Sequence, residues 1–450
     1  MKQEYLFPSP APPAIREAMA KAVERKEKGL QVFDFSSGNI GNLLVSQTIF
    51  DKFELSVNDS APTELKGIIE GLREGVINSY YPYPRGLSYS TTGGTEAIRK
   101  LVVQYFREIH GVPLSDTDTD RVTVTAGGQQ AMAAALRSIK PGTRVLIPRW
   151  EYAPAAGVLE FHNLNPVRVE VNEDLSINID DLKKKVSENS VFYISMPNNP
   201  TGYLSPEELR TIVQVLSASN GGVVWDAPYL FTILRLTTKD ARFDKELLQE
   251  KLSEFKEIAS KYHEHMCILS SLSKSCLIAG LRFGFAVASK QWIDNMDAII
   301  GRENLSSPTP SFIAGTEILK RFLQQPTSYE WICKVLAARL TILMEEIGEH
   351  LMLPGNGLFG ALYAAVLTGK TSSKEFAEKL IRDYGIVTVP GEQFFGGAAN
   401  AVRLSLVSVP WSEGEEAWGA SVKALKDALV KVWSLDCTPM IRQIRLGGFG

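Results

Sequence analysis

Lys274 stands in the stretch "SLSKSCLIAGLRFGF" (271–285), among small and apolar residues. Ser271 and Ser273 come just before it and Arg282 follows eight positions on. A lysine held away from water loses hydration, so its pKa falls and its neutral amine becomes a nucleophile able to form a Schiff base. Taken alone, the same lysine reads as a snorkelling side chain at a strand end. Two hydroxyls and a guanidinium near one amine add a second chemistry, the grip on a phosphate monoester, which arginine holds through paired hydrogen bonds. Gly280 and Gly284 let the backbone approach closely.

Three other stretches carry polar residues suited to one small-molecule site. "TAGGQQAM" (125–132) closes a β-branched run and opens a helix, where free N–H groups bind anions and glycine removes the steric bar. "WDAPY" (225–229) follows an apolar strand. Its Asp226 could hold a protonated ring nitrogen, or be no more than a helix cap. "MPNNPTG" (196–202) makes a rigid turn able to present Asn199 inward, or an ordinary turn. "HEH" (263–265) offers two histidines at i and i+2 with no third ligand, so no metal site is expected.

The elements that must position these residues follow from periodicity. "RVTVT", "RVLIP" (144–148), "VRVEV" (167–171), "SVFYISM" (190–196), "GGVVWD" (221–226), "HMCILSSLS" (265–273) and "RFGFAVAS" (282–289) are short apolar runs separated by helical patterns. One of these helices, 205–219, has Ser205 as its N-cap and Glu208 three residues on. Strands alternating with helices predict an α/β layer around a mostly parallel sheet, with ligands at the C-terminal strand ends. Before it, a helix is expected over 15–28 and a Tyr-, Pro- and Gly-rich loop over 77–94. The charged helical stretch 236–266 reads as a surface excursion, the alternative being a substrate lid. After 305 come helices, a strand over 357–367, a helix over 373–384 and "AVRLSLV" (401–407), the pattern of a smaller α+β domain. The expected division is an arm with part of the small domain (1–45), a large domain (46–305), the small domain (306–433) and a tail of unassigned role (434–450).

The chain has 450 residues, 44% hydrophobic and 22% charged, which supplies a sizeable core. Lys plus Arg number 48 against 51 Asp plus Glu, a balance that asks for neither nucleic acid nor an anionic membrane as partner. Four scattered cysteines form no CxxC pair, which points to free thiols in a reducing compartment. No apolar run suits a signal peptide or the roughly 20 residues of a membrane span. A cytoplasmic protein is expected.

In this order and at these spacings, "NNPTG", "DAPY", "SLSKSCLIAGLRFG" and "AVRLS" resemble the fold-type I pyridoxal phosphate enzymes, specifically the class I/II aminotransferase family. The resemblance runs from about residue 30 to 430. It implies the aspartate aminotransferase-like fold, pyridoxal 5′-phosphate as cofactor, and a homodimer with shared active sites. It also implies residue roles. Lys274 forms the Schiff base and moves the α-proton, while Asp226 pairs with the ring nitrogen. Asn199 and Tyr229 bond the ring's 3-oxygen, and Tyr152 of "PRWEYAP" stacks on the ring. Gly128 and Gln129 give backbone N–H groups to the phosphate, with Ser271, Ser273 and Arg282 adding side chains. Arg403 grips the substrate α-carboxylate near Gly38, and Tyr89, or its rival Tyr81, reaches the neighbouring subunit's phosphate. The expected reaction is transfer of an amino group from an L-amino acid to a 2-oxo acid, the alternative being a cyclase, lyase or oxidase on the same fold. No second arginine is placed for a dicarboxylic substrate, so a neutral, aromatic or basic amino acid is expected.

Overall fold

The computed structural model describes residues 14–43, 62–164, 166–397 and 399–435. The Pro-rich opening, the junction at 46, and the tail beyond 435 with Cys437 lie outside the described residues.

Seven strands build the main sheet: β1 (Val122–Ala126), β2 (Val145–Pro148), β3 (Val167–Val169), β4 (Val191–Ser195), β5 (Gly222–Asp226), β6 (Met266–Ser271) and β7 (Phe283–Val287). Their spatial order is β1-β7-β6-β5-β4-β2-β3. Only β7 runs against the rest, pairing antiparallel with both β1 and β6. Helices cover both faces, so these strands are near-continuous apolar runs. Alternation still divides the faces: Val223 and Trp225 enter one core and Val224 the other.

The stretch 236–266 corrects the expectation of a surface excursion. After two short strands, Leu234–Leu236 and Ala241–Arg242, the helix Lys245–Tyr262 crosses between the parallel neighbours β5 and β6. Parallel pairing requires such a crossover. Its Leu248, Leu252, Phe255 and Ile258 are buried, and Phe255 stacks on Trp225 at 5.1 Å between ring centres. The high charge of the sequence belongs to its outer face.

One further boundary differs. The helix Lys66–Tyr80 runs into the expected loop 77–94, because it packs along the helix Thr309–Gln324, with Gly75 against Ala314. Thr309–Gln324 in turn buries Phe312, Ile318, Leu319 and Phe322 in the first core.

The second core surrounds a four-stranded sheet of β8 (Leu351–Met352), β9 (Tyr363–Leu367), β10 (Val389–Pro390) and β11 (Ala401–Ser405), in the order β8-β9-β11-β10. The single strand expected over 357–367 is two: Leu358–Phe359 pairs with Leu234–Leu236 instead. Helices Ser328–Ile347, Ser373–Tyr384 and Gly414–Leu435 pack against this sheet. Segments far apart in the chain meet here, for Phe33–Asp34 pairs in parallel with Ile386–Val387 and Phe35 packs on Trp418. Ser205 caps its helix through a 3.2 Å bond from the Glu208 N–H, but the Glu208 carboxylate turns to the Ile177 N–H and the Tyr203 hydroxyl rather than back to the cap.

Candidate active site

Strand β6 ends at Ser271 and the chain makes a single helical turn, Leu272–Ser275, which carries Lys274. The Lys274 amine donates to the Gly38 carbonyl at 3.0 Å and lies 5.9 Å from the centre of the Tyr229 ring. Burial lowers its pKa, and the Arg403 and Arg282 guanidiniums push the same way against Tyr363. A methyl group at Gly38 would collide with the Tyr363 hydroxyl, so only glycine leaves this carbonyl within reach of the amine.

A turn of glycines lies on the same sheet edge. Gly284 on β7 is in register with both Thr125 on β1 and Ser271 on β6, which gathers three strand ends. A Cβ at Gly284 would stand 2.5 Å from the Gly127 carbonyl carbon. Gly127 has φ +81°, open to glycine but strained for other residues, and its successor Gly128 begins the helix Gly128–Arg137. The Gln130 N–H bonds back to the Gly127 carbonyl at 3.2 Å, and those of Gly128 and Gln129 come before any intrahelical acceptor. Arg282 wraps over the turn, donating to the carbonyls of Ala279 at 2.8 Å and Ala126 at 3.2 Å. Ser271 and Ser273 are buried, and a Cβ at Gly128 would sit 3.6 Å from the Ser271 hydroxyl.

Asp226 ends β5 beside this edge. Its carboxylate accepts the Tyr193 hydroxyl at 2.8 Å, and burial raises its pKa to about 7 against that bond. Among the described residues no cation is paired with it. Asn199, in the turn after β4, is buried, and its side-chain oxygen accepts Arg403 Nη1 at 3.3 Å. Tyr152 follows β2 and donates its hydroxyl to Gln129 at 2.7 Å.

Arg403 lies on β11, buried, with Nη2 bonded to the Ser36 carbonyl at 3.0 Å. Its guanidinium carbon sits 4.1 Å from the centre of the Tyr363 ring and 5.0 Å from that of Phe394. Nε has no hydrogen-bond partner among the described residues. The register of β9 with β11 and the pairing of Phe33–Asp34 with Ile386–Val387 bring residues 36–38, 363 and 403 together.

Of the residues expected in the site, Lys274, Asp226, Tyr229, Asn199, Arg403, Gly38, Gly128, Gln129, Tyr152, Ser271, Ser273 and Arg282 gather around the ends of β1, β2, β4, β5 and β6 and the facing part of the small sheet. Tyr89 and Tyr81 stand apart, 84% and 72% exposed. His263 and His265 make separate contacts, with Arg121 and Glu264 and with the Gly221 carbonyl. Sequence reasoning gave no role to Tyr193, whose hydroxyl meets Asp226, or to Glu151. Tyr193 is one letter in an apolar strand, while Glu151, a charge inside "PRWEYAP", was a signal that could have been used.

Residues 52–418 match the family described as aminotransferase class I and II. The chain is 27% identical over 328 residues to an aspartate aminotransferase of Pyrococcus horikoshii, covering 70% of this chain and 78% of the relative. It is 25% identical over 366 residues to an LL-diaminopimelate aminotransferase of Maridesulfovibrio salexigens, covering 79% and 87%. A solved aspartate aminotransferase of Thermus thermophilus superposes with a TM-score of 0.73 at 19% identity, over 95% of this chain and 99% of that one, so the fold is shared. These relatives are all aminotransferases and do not favour the cyclase, lyase or oxidase alternative. With the family match spanning most of its length and the aspartate aminotransferase fold shared over nearly all of it, the chain belongs to the class I and II aminotransferases, enzymes that use pyridoxal 5′-phosphate to transfer amino groups.

Proposed function

We propose that this aminotransferase attaches its cofactor at Lys274 and that the same amine then moves the substrate's α-proton. The observation that carries the reading is the partly buried, lowered-pKa amine of Lys274, held on the turn that follows β6, the strand beside the one that ends in Asp226. The residues suit the group. Asp226 has no cationic partner among the described residues, and a protonated ring nitrogen supplies one. The first turn of Gly128–Arg137, with Gln129, offers N–H groups to a phosphate, and Ser271, Ser273 and Arg282 add side chains. Tyr152 would lie against the ring, and Asn199 and Tyr229 would hold its 3-oxygen. Bound there, pyridoxal 5′-phosphate supplies the sink for the electron pair left by Cα–H cleavage.

The protein's own part is placement and proton transfer. Arg403 holds the α-carboxylate beside Gly38, so that the Cα–H bond faces the Lys274 amine. Lys274 would take the proton from the substrate's Cα and hold it for return. Tyr363 and Phe394 flank Arg403, which supports a neutral or aromatic amino acid over a dicarboxylic one.

The exposed run Tyr80, Tyr81, Tyr83, Leu87 and Tyr89 supports a homodimer in which Tyr89, with Tyr81 as rival, reaches the partner's phosphate. The buried free thiols Cys267, Cys276 and Cys333 support a cytoplasmic location. Borohydride reduction of cofactor-loaded protein, followed by peptide mapping, is expected to label Lys274. A label elsewhere, or none, refutes the assignment. A panel of amino acids, followed by the cofactor's absorbance, identifies the substrate class.

A further inference from the structure

Behind Tyr152 lies a buried acid with no part in the reading above. Glu151 is fully buried in the loop after β2. Four donors converge on its two oxygens. Oε1 accepts the Tyr152 N–H at 2.6 Å and the Ser195 hydroxyl, and Oε2 accepts the Ser195 N–H at 2.9 Å and Asn198 Nδ2 at 3.4 Å. The Ser195 oxygen itself accepts Asn198 Nδ2 and the Asn199 N–H, each at 3.3 Å, so its proton is committed to Glu151. No partner in this set is free to accept a proton from a neutral carboxyl group. The geometry is therefore made for the carboxylate, although burial pushes its pKa up to about 8. Arg168, bonded to the Pro148 carbonyl at 3.0 Å, feels the Glu151 charge, and the Asp226 carboxylate adds to the upward push on Glu151.

These bonds join two loops that approach the cofactor from different strands, one carrying Tyr152 after β2 and one carrying Asn199 after β4. Ser195 is also in register with Asp226 on β5. We propose that Glu151 is a positioning residue, a buried carboxylate that fixes Tyr152 and Asn199 at the cofactor ring, so that its charge serves cofactor binding more than folding. The inference rests on the reading that Tyr152 and Asn199 flank that ring.

The test uses the cofactor-loaded wild type with Glu151→Gln and Glu151→Ala. Glutamine keeps the shape but turns an NH₂ group toward two of the four donors. It also removes the cost of a buried charge, which offsets the two unmade bonds in the cofactor-free fold. Loss of one charge-assisted bond corresponds to a rise of about tenfold or more in the cofactor dissociation constant. The visible circular dichroism of the bound cofactor is expected to fall with it, while the thermal midpoint of the cofactor-free protein stays close to wild type. Glu151→Ala exceeds Glu151→Gln in the first two effects. Should the alanine variant not fold, glutamine carries the test. Unchanged affinity and dichroism in Glu151→Gln overturn the inference, as does a loss confined to the cofactor-free midpoint. Failure of the underlying reading looks different: the wild type itself carries no borohydride label at Lys274.

Discussion

Replacing Arg403 by lysine tests the substrate grip most directly. The guanidinium has five N–H groups. One Nη1 hydrogen goes to Asn199 and one Nη2 hydrogen to the Ser36 carbonyl, and Nε has no partner among the described residues. Three N–H groups are left for a carboxylate, enough for a paired contact. A lysine amine has three donors, and the Asn199 and Ser36 acceptors claim two of them. The variant thus keeps one charged bond to the substrate where arginine makes two. One charge-assisted bond is worth about 1.5–3 kcal/mol, which corresponds to a loss of roughly tenfold to a hundredfold in kcat/KM. The assay is a stopped-flow half-reaction monitored by the cofactor's absorbance, with an amino acid and with the matching amine that lacks the carboxylate. Arg403→Lys should slow the amino acid by that factor and leave the amine within about threefold, since the amine never used the lost bond. Equal losses on both compounds would refute the assignment, for the substitution would then be acting on the cofactor or the fold.

Phe255→Ala should cost about 3–5 kcal/mol in denaturant unfolding, because the ring is buried on Trp225, whereas a loss below about 1 kcal/mol would restore the surface-excursion view of this segment. Asp226 has its pKa raised to about 7 in the folded chain, so between the unfolded value near 4 and that point the folded state binds the extra proton and its stability falls as pH rises. Thermal midpoints of cofactor-free protein from pH 5 to pH 8 should therefore decline less in Asp226→Asn than in wild type; equal slopes would contradict the burial argument. Mixing Lys274→Ala with Tyr89→Ala chains should recover about a quarter of wild-type activity, since half of the dimers are mixed and each has one intact site. No recovery from demonstrably mixed dimers would move that role to Tyr81 or remove it.

The one-dimensional order of residues already determined most of the chemistry. The Lys274 stretch, "TAGG", "WDAPY" and "NNPTG" each end or follow an apolar strand, and parallel strands place such ends on one edge. A lysine among small apolar residues, near two serines and an arginine, could be read before any coordinates. What folding alone decided lies between segments distant in the chain. Gly38 meets the Lys274 amine, and Ser36 meets Arg403, because a two-residue strand near the start pairs with one near residue 386. Helix Lys245–Tyr262 looked like surface because charge dominates its composition, yet its buried stripe is what a parallel crossover needs. Glu151 was visible only as a misplaced charge; its function depends on Ser195 and Asn198, more than forty positions away. Local sequence fixes which side chains carry reactive groups and where strands end. Burial, and with it every pKa and every hydrogen-bond partner across loops, is a property of the packed whole.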